Sequence, residues 1–156
     1  MQPRDQEIIV HLNTILKQEL TAINQYFLHA KMYDDWGMTK LAAHEREESV
    51  DEMKHAEALM ERILFLGGLP NMQDLGKLYV GQEVREMLEC DLKLEMEAVP
   101  NLRAAIAFSE NCGDYVSREL FEDILTSEES HIDWLETNLE LIDRMGVENF
   151  IQAQVN

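Results

Sequence analysis

Four stretches of helical periodicity are joined by connections of very unequal length, and that inequality restricts the fold more than any other feature of the chain. Glycine and proline are scarce, and they cluster at Gly37, Gly67-Gly68-Leu69-Pro70, Gly76, Gly81, Gly113 and Gly146. Between these breaks the apolar spacing predicts helices over 5–35, 39–66, 83–111 and 114–144, and a short one over 147–154. Helices one and two, and helices three and four, are separated by only a few residues, so each pair is an antiparallel hairpin. Helices two and three are separated by the 16 residues from Gly67 to Gln82. Extended, that segment reaches about 50 Å, whereas a helix of this length spans about 42 Å. The connection can therefore run the full length of a bundle and start helix three beside the start of helix two. The fold class is all-α: one domain over 1–156, a four-helix bundle with one long crossover and a short fifth C-terminal helix. Pro100 falls inside the third helix and predicts a kink there, because apolar periodicity resumes at Leu102, Ala105 and Ile106.

A repeat of polar residues lies within this pattern. Glu-x-x-His occurs at Glu52–His55 and again at Glu128–His131, 76 residues later. Glu19 precedes the first copy by 33 residues and Glu95 precedes the second by the same 33. Each hairpin thus carries one Glu on its first helix and Glu-x-x-His on its second. All six residues sit on inward stripes. Ile8, Leu12, Ile15, Glu19, Ala22 and Tyr26 advance by fours and threes along helix one, and Phe121, Ile124, Glu128, His131 and Leu135 do the same on helix four.

Carboxylates in an apolar core are costly unless they are paired, protonated or bound to cations. Lys54 is the only nearby basic residue, and it lies off the stripe. Four carboxylates and two imidazoles suit two divalent ions of the iron or manganese type, with positions left open for an oxidant. The alternatives are protonated acids, or a helix phase that leaves these groups in water.

The formal net charge is −18. It disfavours nucleic acid as a partner and suits either cation binding or a solvated acidic surface. No apolar run approaches the length of a membrane span. The first residues lack the basic flank and apolar stretch of a secretion signal. With only Cys90 and Cys112 there is no disulfide framework, so a cytoplasmic setting is expected.

Several segments resemble the bacterioferritins, members of the ferritin-like di-iron carboxylate proteins. They are Ala22 to His29, Ser49 to Ala56, Arg62 to Leu66, Leu69-Pro70-Asn71, His131 to Glu136 and the closing stretch Gly146 to Gln154. The resemblance covers essentially the whole chain. It implies a cytoplasmic iron-storage ferroxidase that oxidises Fe(II) with O2 or H2O2 and stores ferric mineral in a 24-subunit shell. It implies Glu19 and Glu95 as terminal ligands, Glu52 and Glu128 as bridges, and His55 and His131 completing the two irons. Tyr26 matches a tyrosine beside the site, as hydrogen-bond donor or electron donor; a core aromatic is the alternative. Trp134 is either a further electron donor or a packing residue. Met53, about 100° around the helix from Glu52, matches the methionine that holds a haem b between two subunits, with Leu20, Ile23, Asn24 and Phe27 lining the pocket. A small ferredoxin is the implied electron donor.

The chain departs from many bacterioferritins at Arg46-Glu47-Glu48, where Tyr-His-Glu is common. Arg46 then pairs with a haem propionate or stays solvated. Glu47 and Asp51, one turn apart, either form an inner-surface iron site or face solvent. A di-iron peroxidase or oxygenase that builds no shell, and an acidic helical scaffold without metal, are the competing readings.

Overall fold

In the computed structural model, which describes residues 1–155, the chain forms five helices. They are α1 (Glu7–Asp35), α2 (Thr39–Phe65), α3 (Val84–Cys112), α4 (Tyr115–Met145) and α5 (Val147–Ala153). The two long hairpins and the crossover stand where the spacing of glycines places them. α3 continues unbroken through Pro100, whose side chain faces solvent. Helix ends follow local chemistry. Glu83 caps α3 by accepting from the Glu86 and Arg85 amides, and the Glu86 carboxylate accepts from Gln82 N in return. α3 ends at Gly113, whose φ of 78° is left-handed. Asp114 then caps α4 through Ser117 N.

The interior is layered along the bundle axis. One apolar cluster, including Ile8, Leu12, Leu59, Leu102, Phe121 and Ile124, fills the end near the α1 N-terminus. A second, including Tyr33, Leu41, Met87, Leu135, Ile142 and Phe150, fills the other end, where α5 closes the bundle. Between them lies a buried polar layer that contains Glu19, His29, Glu45, Glu52, Asp91, Glu95, Glu128 and His131.

The crossover, residues 66–83, is fastened to α1 by one row of side chains spaced four apart. Asn13 binds Leu69 O and Asn71 N, and Lys17 pairs with Asp74 at 3.4 Å. Thr21 Oγ1, Gln25 Oε1 and His29 Nε2 accept the backbone N–H groups of Gly76, Tyr79 and Gly81. Each four-residue step turns about 40° around the helix. The row therefore passes from half-exposed Lys17 to fully buried His29, and the crossover descends from the surface into the bundle. Gly81 permits the last contact: a Cβ there would come within 2.5 Å of the Met87 backbone.

The two hairpins are also tied at the opposite end. Arg62 donates to Ser117 Oγ at 2.9 Å and to Asp114 Oδ1 at 2.7 Å, so one aspartate caps α4 and receives the guanidinium from α2. Asp114→Ala should cost about 2–3 kcal/mol, the sum of a lost cap and an orphaned charge. Urea unfolding followed by circular dichroism measures this, with Asp114→Asn recovering part of the loss.

Candidate metal centre

The six residues of the sequence repeat all lie in the polar layer, at mid-helix on four different helices. Glu19, Glu52, Glu95, Glu128 and His131 are each 2% exposed, and His55 is half-buried. They form two groups. Glu19, Glu52, His55 and Glu128 each place one ligand atom within 4.8 Å of the others. His55 Nδ1 stands at the hub, 3.4 Å from Glu19, 3.7 Å from Glu52 and 3.9 Å from Glu128. Glu95 and His131 lie outside that quartet and bond to each other, Nδ1 to Oε1, at 3.2 Å. Tyr26, wholly buried, donates its hydroxyl to the same Glu95 oxygen. The halves meet in a cavity of about 230 Å³ lined by Glu19, Glu52, Glu95 and Glu128, with Lys17, Lys77 and Tyr79 on the crossover side.

Buried polar atoms without partners mark what this layer lacks. Glu95 Oε2, Glu128 Oε1 and His131 Nε2 have no hydrogen-bond partner among the described residues. An oxygen-rich set with two imidazoles and three free lone-pair donors fits divalent cations of the iron and manganese class. Without them the layer holds protons. Burial raises the Glu95 pKa; the His131 bond opposes this and the Glu52 charge adds to it, leaving it at about 7. Burial lowers that of His131, but the bond and charge of Glu95 and the charge of Glu48 reverse this and carry it to about 9. His55 is raised as well, burial being outweighed by its Glu52 neighbour.

Further polar and aromatic side chains pack around His131. Glu48 Oε2 is 3.5 Å from its Nδ1, and Glu48 also faces His44 Nε2 at 3.5 Å. Trp134 stacks on His44 at 3.6 Å and 9°, so the indole packs against the imidazole that faces Glu48. Burial and the charge of His131 push the His44 pKa down to about 4. Arg46 pairs with Asp34 at 2.9 Å. Glu47 is exposed, Asp51 is half-buried, and neither belongs to a ligand-spaced group among the described residues.

Met53 points outward and is 44% exposed. Val50, one turn away on the same face, and Phe27 are also exposed; Asn24 is exposed, and Leu20 and Ile23 are half-buried. A thioether set among exposed apolar side chains is a donor that would suit a haem iron.

Sequence reasoning passed over the cluster of His29, Glu45 and Asp91, all fully or almost fully buried. The signal was present: Glu45 stands seven residues before Glu52 and Asp91 four before Glu95, so both lie on the same inward stripes.

A ferritin-like domain family model matches residues 9–145. The bacterioferritin of Mycobacterium avium is 54% identical over 144 residues, 92% of this chain and 91% of the relative. That of Streptomyces coelicolor is 50% identical over 151 residues, 97% of this chain and 90% of the relative. That of Rhodobacter capsulatus is 47% identical over 146 residues, 94% and 91%.

Glu95 and His131 bind protons more tightly folded than unfolded. Their contribution to stability is present at low pH and is lost as pH rises, for Glu95 between 4.5 and about 7 and for His131 between 6.5 and about 9. A bound cation displaces these protons. Titrating Mn(II) into metal-free protein at pH 7 should release roughly one or more protons per chain, and far fewer above pH 9. Calorimetry in buffers of different ionisation enthalpy measures this; binding without proton release at pH 7 would contradict a protonated Glu95–His131 pair in the metal-free layer.

Proposed function

The chain belongs to the bacterioferritin family, and from that premise we propose that it is an iron-storage ferroxidase built as a single ferritin-like di-iron domain. The observation that carries this reading is the layer of four buried carboxylates, buried His131 and half-buried His55, with unpartnered donor atoms, at the middle of one bundle. Two Fe(II) ions are the substrate. Glu19 and Glu95 are the terminal ligands, Glu52 and Glu128 the bridges, and His55 and His131 the imidazole donors. The carboxylates neutralise the incoming charge, and their burial strengthens that attraction relative to water. They also favour Fe(III) over Fe(II), which promotes electron transfer to O2 or H2O2. Tyr26 holds Glu95 in place through its hydroxyl bond and, in this reading, is the electron donor beside the site. Iron reaches the layer through the cavity beside the crossover, whose wall includes the carboxylates themselves.

In this reading the oxidised iron passes to the interior of a 24-subunit shell assembled from two-fold dimers in the cytoplasm, and is kept there as ferric mineral. The net charge of −18 suits cation uptake and mineral nucleation. Met53 from each of two subunits would hold a haem b, which supplies a one-electron carrier at the shell wall. Electrons would come from a small ferredoxin. Arg46, engaged with Asp34, is available to a propionate only if that pair opens.

Glu52→Ala removes one bridge and should slow the rapid phase of Fe(II) oxidation by at least about 100-fold, while particle mass stays at the wild-type value. Stopped-flow absorbance and light scattering on the same sample test both; oxidation at the wild-type rate would refute the site. Met53→Leu should give a particle without the haem absorption band that still oxidises iron.

A further inference from the structure

His29, Glu45 and Asp91 converge where nothing is exposed, at 0%, 1% and 0%, and one ligand atom of each lies within 4.8 Å of the others. By spacing alone this is a third metal site. The hydrogen bonds exclude that. Gly81 donates its N–H to His29 Nε2 at 3.1 Å, so that nitrogen carries a lone pair. The ring proton is then on Nδ1, 2.9 Å from Asp91 Oδ1. A histidine in this tautomer turns an N–H toward the carboxylates and has no nitrogen free for a metal.

The same geometry fixes the charge of its neighbours. Were His29 an imidazolium, Nε2–H would oppose the Gly81 N–H, donor against donor. Yet Glu45 Oε1 lies 3.6 Å from His29 Nδ1, so two ionised carboxylates here would face a single ring N–H between them. Asp91 Oδ1 is occupied by His29 and Gln25, whereas Glu45 Oε1 and Asp91 Oδ2 have no partner among the described residues. One proton between the two acids removes a buried charge and leaves His29 neutral.

We propose that Glu45 and Asp91 hold a single proton between them, and that this proton, not a metal ion, keeps His29 neutral and the crossover latched beside the cavity that leads to the carboxylate layer. Burial and the Asp91 charge push Glu45 well up; burial would also raise Asp91, but its bonds from Glu45 and His29 bring it below the ordinary carboxylate range. The groups facing the pair are Glu48 on α2, Glu95 on α3, Tyr26 and Tyr33 on α1, and His131 on α4, whose charge is engaged by Glu95 and Glu48. The crossover brings the Gly81 N–H. The latch is a property of the metal-free chain; only its bearing on iron access rests on the function proposed above.

The latched state holds the shared proton, so an open state that gives this proton up to solvent is favoured as pH rises. Infrared spectra and amide exchange of wild type and Glu45→Gln, each metal-free and Mn(II)-loaded, test this. The wild type should show an acid carbonyl band that survives Mn(II) loading and is absent from Glu45→Gln. Protection of the Gly81 amide, corrected for intrinsic exchange, should fall with pH in wild type and stay level in Glu45→Gln, whose amide cannot ionise. Mn(II) stoichiometry should be the same in both. A missing band, or one Mn(II) fewer per chain in Glu45→Gln, would overturn the proposal. If Glu45→Gln does not fold, the band and the Gly81 profile of the wild type decide alone. Failure to oxidise iron would change neither readout.

Discussion

The structure is organised around the cost of putting carboxylates inside a helical bundle. Six acids, Glu19, Glu45, Glu52, Asp91, Glu95 and Glu128, lie at 2% exposure or less in one layer between two apolar ends. Buried as ions without counter-charge they would oppose folding by several kcal/mol each. The two hydrophobic clusters make the layer possible, because they hold the four helices together on either side of it. The crossover, running obliquely from Asn13 to His29, then seals its flank.

The layer answers that cost in two ways. At Glu19, Glu52, His55 and Glu128 the ligand atoms converge and free lone pairs remain, an arrangement suited to cations. Glu95 and His131 meanwhile hold protons that a cation can displace. At Glu45 and Asp91 the neighbouring histidine is committed to a backbone amide, so a proton takes the part that a metal would play. Similar residue types a turn or two apart thus reach opposite outcomes, and the hydrogen bond accepted by one imidazole nitrogen decides between them.

Much of this was legible in the chain. The helix limits differ from the structure by a residue or two, because glycines at 37, 67, 113 and 146 take positive φ where helices end. The inward stripes through Glu19 and Glu128 were readable since a period near 3.6 residues needs no tertiary information. Pro100 does not break α3, as the resumed apolar periodicity after it implied, and the helix runs through it with the ring on its solvent face. The His29 cluster escaped because it has no repeat to announce it. Gln25, His29 and Asp91 meet only when α1, α3 and the crossover are brought together in space, at separations of more than 50 residues along the chain. The stacking of Trp134 on His44 was hidden for the same reason.

The central claim is that the buried layer is a two-iron oxidation site within a storage shell. The most direct measurement is an anaerobic Fe(II) titration of metal-free protein followed by rapid exposure to O2, with particle mass read on the same sample. The account predicts a fast phase that saturates at two Fe(II) per chain in a particle of 24 chains. A fast phase with no break at two, or a particle of one or two chains, would contradict it.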